Sequence, residues 1–101
     1  MERDLDLAMI VKPDNRPPIT HELKTWQSYF HAVFDGSKMF EIRRDDRGFR
    51  VGDLLRLRET RYSDGTYTGR ECVRRITYIL RHEEDLGLQE GFAVLSLENV
   101  G

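Results

Sequence analysis

Gly36, Lys38, Glu41 and Arg43 stand at the spacing G-x-K-x-x-E-x-R, and these residue types handle anions and hydrogen-bonding edges. Lys38 and Arg43 can contact phosphates, and an arginine plane can also stack on a base. Glu41 can accept hydrogen bonds from a base edge, or it can hold Arg43 in place. Gly36 permits a tight backbone turn and the close approach of a ligand. Were the group hydrolytic, Glu41 would act as general base on water while Lys38 stabilised the developing negative charge. His21 and Lys24 before the group, and Arg47 after it, are expected to flank the site. Strict alternation sets Lys38 on the face opposite Glu41 and Arg43, unless the strand begins only at Met39 and Lys38 still belongs to a turn.

Other chemistries find little support. Neither His31 nor His82 has a neighbouring ligand at metal spacing, and Cys72 is the single cysteine. No metal site and no cofactor are therefore expected. The sequence carries no glycine-rich phosphate loop and no G-x-S-x-G. With 101 residues, 39% hydrophobic and 34% charged, the chain is one domain's worth. That composition argues against a membrane protein, a collagen-like chain and a disordered chain.

Charge is unevenly spread. The net charge is −2, yet Lys38 to Arg61 holds eight basic and five acidic residues. Arg70 to His82 holds four arginines against Glu71, whereas residues 83–101 carry five carboxylates and no Lys or Arg. A nucleic-acid site must then be a local patch, and the acidic C-terminal segment could meet a protein partner. Arg56, Arg58, Arg74 and Arg75 are expected to solvate the outer faces, or to form a second basic patch. No signal peptide is apparent, because the run from Leu7 to Val11 is short and follows Glu2, Asp4 and Asp6. Together with the lone cysteine, this suggests a reducing cytoplasm.

The elements that must position these residues read as follows. Residues 1–18, with Pro13, Pro17 and Pro18, look like a loosely attached segment holding a short strand at Leu5 to Val11. Residues 19–101 form the domain. Thr25 is a good N-cap for a helix from Trp26 to Asp35, with Trp26, Tyr29, Phe30, Val33 and Phe34 on one apolar stripe. Most of that stripe is expected to pack in the core, and Trp26 is the member best placed to stay exposed as a stacking platform. Gly36 stops the helix. Strands are expected over Met39 to Arg43, Asp53 to Glu59, Tyr67 to Leu80 and Phe92 to Leu97. Asp64-Gly65 forms a hairpin tip, the long strand bends near its middle, and the last strand is buried on both faces. The acidic stretch 82–91 connects the last two strands. One helix and about five strands make a small α+β domain built on a strongly curved sheet or barrel.

The string Gly36-Ser37-Lys38-Met39-Phe40-Glu41-Ile42-Arg43, at a helix-to-strand junction, resembles the signature of the ASCH domain of the PUA-like β-barrel superfamily. The likeness continues in His21 to Lys24, Phe40 to Arg47, Val51 to Glu59 and Tyr67 to Glu71, and covers residues 19–98. It points to a small ASCH-like family of bacteria and their phages. The resemblance implies a PUA-like barrel with one main helix at its rim. It further implies a cleft between helix and barrel, lined by the motif, that binds RNA or a nucleotide. Some ASCH-like proteins are amidohydrolases acting on acetylated cytidine, and ribonuclease activity has been suggested for others. The resemblance therefore also implies an alternative, a small hydrolase of RNA or of a modified nucleoside. In the amidohydrolase branch a threonine nucleophile stands where this chain has Glu41, so Lys38 matches that branch and Glu41 does not.

Overall fold

The computed structural model describes residues 16–82 and 86–101. The strand expected at Leu5 to Val11 lies outside the described residues. The first described strand, β1 (Thr20–Trp26), alternates, with His21, Leu23 and Thr25 buried between exposed neighbours. It pairs in parallel with β3 (Leu54–Thr60), from Thr20 opposite Leu54 to Trp26 opposite Thr60. The helix therefore starts later than its stripe suggests. Thr25 is strand, not cap; Trp26 holds the N-cap position without a side-chain cap bond, and α1 spans Gln27–Phe34. A seven-residue ladder outweighs one cap bond.

α1 ends as expected. Gly36, at φ +87°, turns the chain, and the amides of Gly36 and Lys38 donate to the carbonyls of Val33 and Ala32 at 3.1 and 2.9 Å. The apolar stripe divides. Phe30 and Val33 are buried, whereas Trp26, Tyr29 and Phe34 are 40, 51 and 52% exposed. Core packing was the expectation for Tyr29 and Phe34. Eight residues over a strongly curved sheet bring only one narrow line of side chains to the core.

Four further strands complete one sheet in the order β1-β3-β4-β5-β2: β2 (Phe40–Arg44), β3, β4 (Tyr67–Arg81) and β5 (Phe92–Asn99). All pairs except β1 with β3 are antiparallel. The bend expected in β4 is a pair of register shifts, against β3 between Arg58 and Thr60 and against β5 between Ile76 and Tyr78. These irregularities steepen the local twist and let the sheet curl into a half-barrel. In β5, Ala93, Leu95 and Leu97 are buried, Phe92, Val94 and Ser96 are half-buried and Glu98 is exposed, so its second face is only partly covered. The core inside the curl joins these residues to Leu23, Phe30, Val33, Leu55 and Leu57, with Cys72 and Ile76 from β4 and Phe49 from the β2–β3 loop. Cys72 is a free, buried thiol. Burial pushes its pKa up; Arg74 opposes this, and the charges of Glu41 and Glu71 add to it.

One buried carboxylate anchors the entrance to this fold. Asp53, at the turn before β3, accepts both terminal nitrogens of Arg16 at 2.9 Å, the amide of Ile19 at 3.1 Å and that of Arg50 at 3.0 Å. His21 Nε2 lies 2.8 Å from it. Burial alone would raise the Asp53 pKa, but the hydrogen bonds from Arg16, His21, Ile19 and Arg50 prevail and hold the carboxyl far below its usual range. Its stabilisation is thus fully present above the unfolded value of about 3.9 and is lost as pH falls towards the lower folded value. Asp53→Asn should cost about 3 kcal/mol at neutral pH, because it leaves several donors without their anion. Urea denaturation should show the gap to wild type narrowing below about pH 4. A gap that stays constant with pH would contradict this role.

Candidate functional site

β2 folds inside out. Its alternation is the expected one, Phe40 and Ile42 on one face and Glu41 and Arg43 on the other. Yet the carboxylate faces inward, 3% exposed, while Phe40 and Ile42 are 40 and 53% exposed. A charged side chain is almost never buried unless it is paired, and large apolar residues gathered at one exposed place mark a binding surface.

Glu41 is paired twice. Lys38 Nζ donates to its Oε2 at 2.7 Å, and Arg43 Nε donates to its Oε1 at 3.0 Å. The question of which face Lys38 occupies resolves in favour of the turn. β2 begins at Phe40, so Lys38 lies before the strand and reaches back to Glu41. Lys38 also donates to the Phe40 carbonyl at 2.7 Å and sits 4.8 Å from the Phe40 ring centre and 5.5 Å from that of Tyr29. Arg43 spans the opening of the half-barrel: its Nη2 donates to the Lys24 carbonyl at 2.8 Å and to Thr25 Oγ1 at 3.3 Å. Arg47 Nη1 continues the seam to the Glu22 carbonyl at 3.0 Å. β1 and β2 are the two sheet edges and share no ladder, so these arginines satisfy edge carbonyls that would otherwise stand open.

Above the seam lies a cleft of about 480 Å³, lined by Lys24, Trp26, Tyr29, Lys38, Phe40 and Ile42, with Glu41 and Arg43 at its base. That size suits a small ligand. Three cations face one carboxylate, so the lining is positive in a chain whose net charge is −2. Among the described residues Lys24 has no ion-pair partner. Trp26 is backed by Tyr62, with ring centres 4.6 Å apart and planes within 9° of parallel.

Of the residues singled out from the sequence, Lys24, Lys38, Glu41 and Arg43 come together here. Gly36 does not line the cleft. Its role is the positive-φ turn, and a Cβ there would meet nothing within 4 Å, so no close approach requires the glycine. His21 is turned into the core, 6% exposed, against Asp53 and 4.7 Å from the Phe49 ring centre. Arg47 belongs to the seam. The reading from the sequence passed over Tyr29, Phe40 and Ile42 as cleft walls. Their signal was an apolar face opposite Glu41 on a strand next to an aromatic-rich helix. The second basic patch is largely compensated: Arg56 pairs with Glu22 and Glu71, Arg58 with Glu22 and Arg75 with Glu98. Among the described residues no three His, Cys, Asp or Glu side chains converge to hold a metal ion. No helix among them is long and apolar enough to cross a membrane.

Fold and site together define a small α+β half-barrel with an aromatic and cationic cleft over a buried carboxylate. The chain belongs to the family described as Domain of unknown function (DUF3850), which matches residues 20–97 and so takes in the whole cleft. It is also similar to an "Uncharacterized 12.9 kDa protein in GpA 3'region" of Escherichia phage P2, 42% identical over 57 residues. That match covers 56% of this chain and 50% of the phage protein's length.

If Glu41 braces both cations, its loss and that of Arg43 must be coupled. Glu41→Gln should destabilise the domain by about 2 kcal/mol, discounted from a fully buried pair because both cations keep some solvent. Arg43→Lys should cost less alone, and in a double-mutant cycle the two should interact by more than about 0.5 kcal/mol. Strictly additive losses in denaturant unfolding would show that Glu41 does not hold Arg43.

Proposed function

We propose that the cleft binds RNA or a nucleotide, with a base against Trp26 and Tyr29 and phosphate against Lys24 and Lys38. The carrying observation is the exposure of aromatic rings beside cations that a buried Glu41 holds in place. Aromatic faces accept any base, and lysines at the rim supply the charge a phosphate needs. We further propose that the domain is an ASCH domain of the PUA-like barrels. The G-x-K-x-x-E-x-R motif and the curled sheet with its helix at the rim support that affiliation.

Hydrolysis by Lys38 and Glu41 has less support. A general base needs an oxygen aimed at its substrate, and each Glu41 oxygen already accepts a cationic donor. The same engagement favours Glu41 as a brace over Glu41 as a reader of base edges. Arg43 likewise spends its Nε and Nη2 on the protein, and Lys38 Nζ donates to Glu41 and to the Phe40 carbonyl. The phosphate contact therefore falls mainly to Lys24, with one remaining Lys38 donor beside it.

Anisotropy of a labelled single-stranded RNA, measured across a salt series, tests the reading. Trp26→Ala should weaken binding about 5- to 150-fold, the worth of one stacked base. Lys24→Ala should weaken all sequences alike and reduce the slope of log affinity against log salt by about 0.7. Wild-type affinity and slope in both variants would overturn the assignment.

A further inference from the structure

Building on that reading of the cleft, we propose that its ligand is a single-stranded oligonucleotide rather than a free nucleotide. A second base is carried on the outer sheet face beside the cleft, on Tyr67 and Arg58. Lys24 and Trp26 are outward positions of β1, so they belong both to the cleft and to the outer face of the sheet. Strand pairing continues that face: Lys24 lies opposite Arg58 on β3, and Trp26 is followed across the sheet by Thr60 and then Tyr67 on β4. The Arg58 guanidinium sits 3.6 Å from the Tyr67 ring centre, and Lys24 Nζ lies 5.7 Å from the same centre. Tyr62 and Tyr67 are 61 and 36% exposed.

Two braced planes thus flank one lysine. Trp26 is backed by Tyr62, and Arg58 is stacked on Tyr67 and held by Glu22 at 3.0 Å. Arg58 shares its charge with Glu22, so it offers a flat face, while Lys24 remains for the phosphate between the two bases. Two strand spacings separate Trp26 from Tyr67, about 10 Å. Bases in a stacked helix lie about 3.4 Å apart, so this platform fits a splayed single strand and not a duplex. A free nucleotide would use the cleft alone and leave Tyr67 and Arg58 without a part.

Trp26 is the only tryptophan, so its fluorescence reports on the cleft directly. The probes are a pool of randomised tetraribonucleotides and an equimolar mixture of the four nucleoside 5′-monophosphates. Wild type should bind the tetranucleotides about 5- to 150-fold more tightly than the monophosphates, the worth of one further stacked base. Tyr67→Ala should remove that difference and leave monophosphate affinity unchanged. Arg58→Gln, which keeps the Tyr67 ring, should reduce the difference in part. Equal affinity of the wild type for both pools overturns the second platform and leaves the cleft reading standing. So does a full advantage kept in both variants, as would be seen if Tyr67 served a protein partner instead. Weakening of both pools alike by Tyr67→Ala also overturns it, since the residue would then act on the cleft itself. Quenching by neither pool overturns the cleft reading and this inference with it.

Discussion

A carboxylate shared between two cations closes this molecule. An open five-stranded sheet leaves two edges, and here the curl brings them face to face with no ladder between them. Arg43 spans the gap to β1, and Glu41 fixes the direction in which Arg43 points. The same carboxylate holds Lys38 beside the Phe40 and Tyr29 rings. One buried charge thereby sets both the closure of the half-barrel and the lining of its cleft. Exposed pairs such as Arg75 with Glu98 contribute about 0–1 kcal/mol each and do not compete with it.

The arrangement is repeated elsewhere in the fold. Asp53 ties Arg16 and the start of β1 to the loop before β3. Glu59, 2% exposed, accepts the Thr68 hydroxyl at 2.6 Å and lies 2.7 Å from His31 Nε2, linking β3 to β4 and α1. Burial would raise the Glu59 pKa, but Thr68, Arg70 and His31 together draw it down. Asp53 and Glu59 join elements distant in sequence directly, and Glu41 does so through Arg43, which reaches β1. Buried ion pairs add little net stability over apolar packing but are costly to break singly. In a chain that is 34% charged, part of the charge serves the interior.

Much of this was legible in the sequence. Periodicity placed β2, β3, β4 and β5, the Asp64-Gly65 tip and the bend in β4, because apolar residues alternate along each strand, although in β2 the apolar members, Phe40 and Ile42, face outward. β1 escaped notice because two of its three inward residues, His21 and Thr25, are polar and mimic a loop followed by a cap. The G-x-K-x-x-E-x-R spacing brought Lys38, Glu41 and Arg43 together correctly. It could not show that the strand turns its carboxylate inward, because alternation fixes which residues share a face and leaves open which face is buried. Nor could spacing separate His21 from the site. Its place in the core depends on Asp53, 32 residues further along the chain.

The most direct test is a nuclear magnetic resonance titration of the labelled protein with a short single-stranded RNA. The account predicts that the Trp26 indole N–H, the Arg43 Nε–H and the amides of Lys24, Tyr29 and Lys38 shift together and saturate at one concentration. Shifts confined to the outer face around Arg56, Arg75 and Glu98, with the Trp26 and Arg43 signals unmoved, would contradict it.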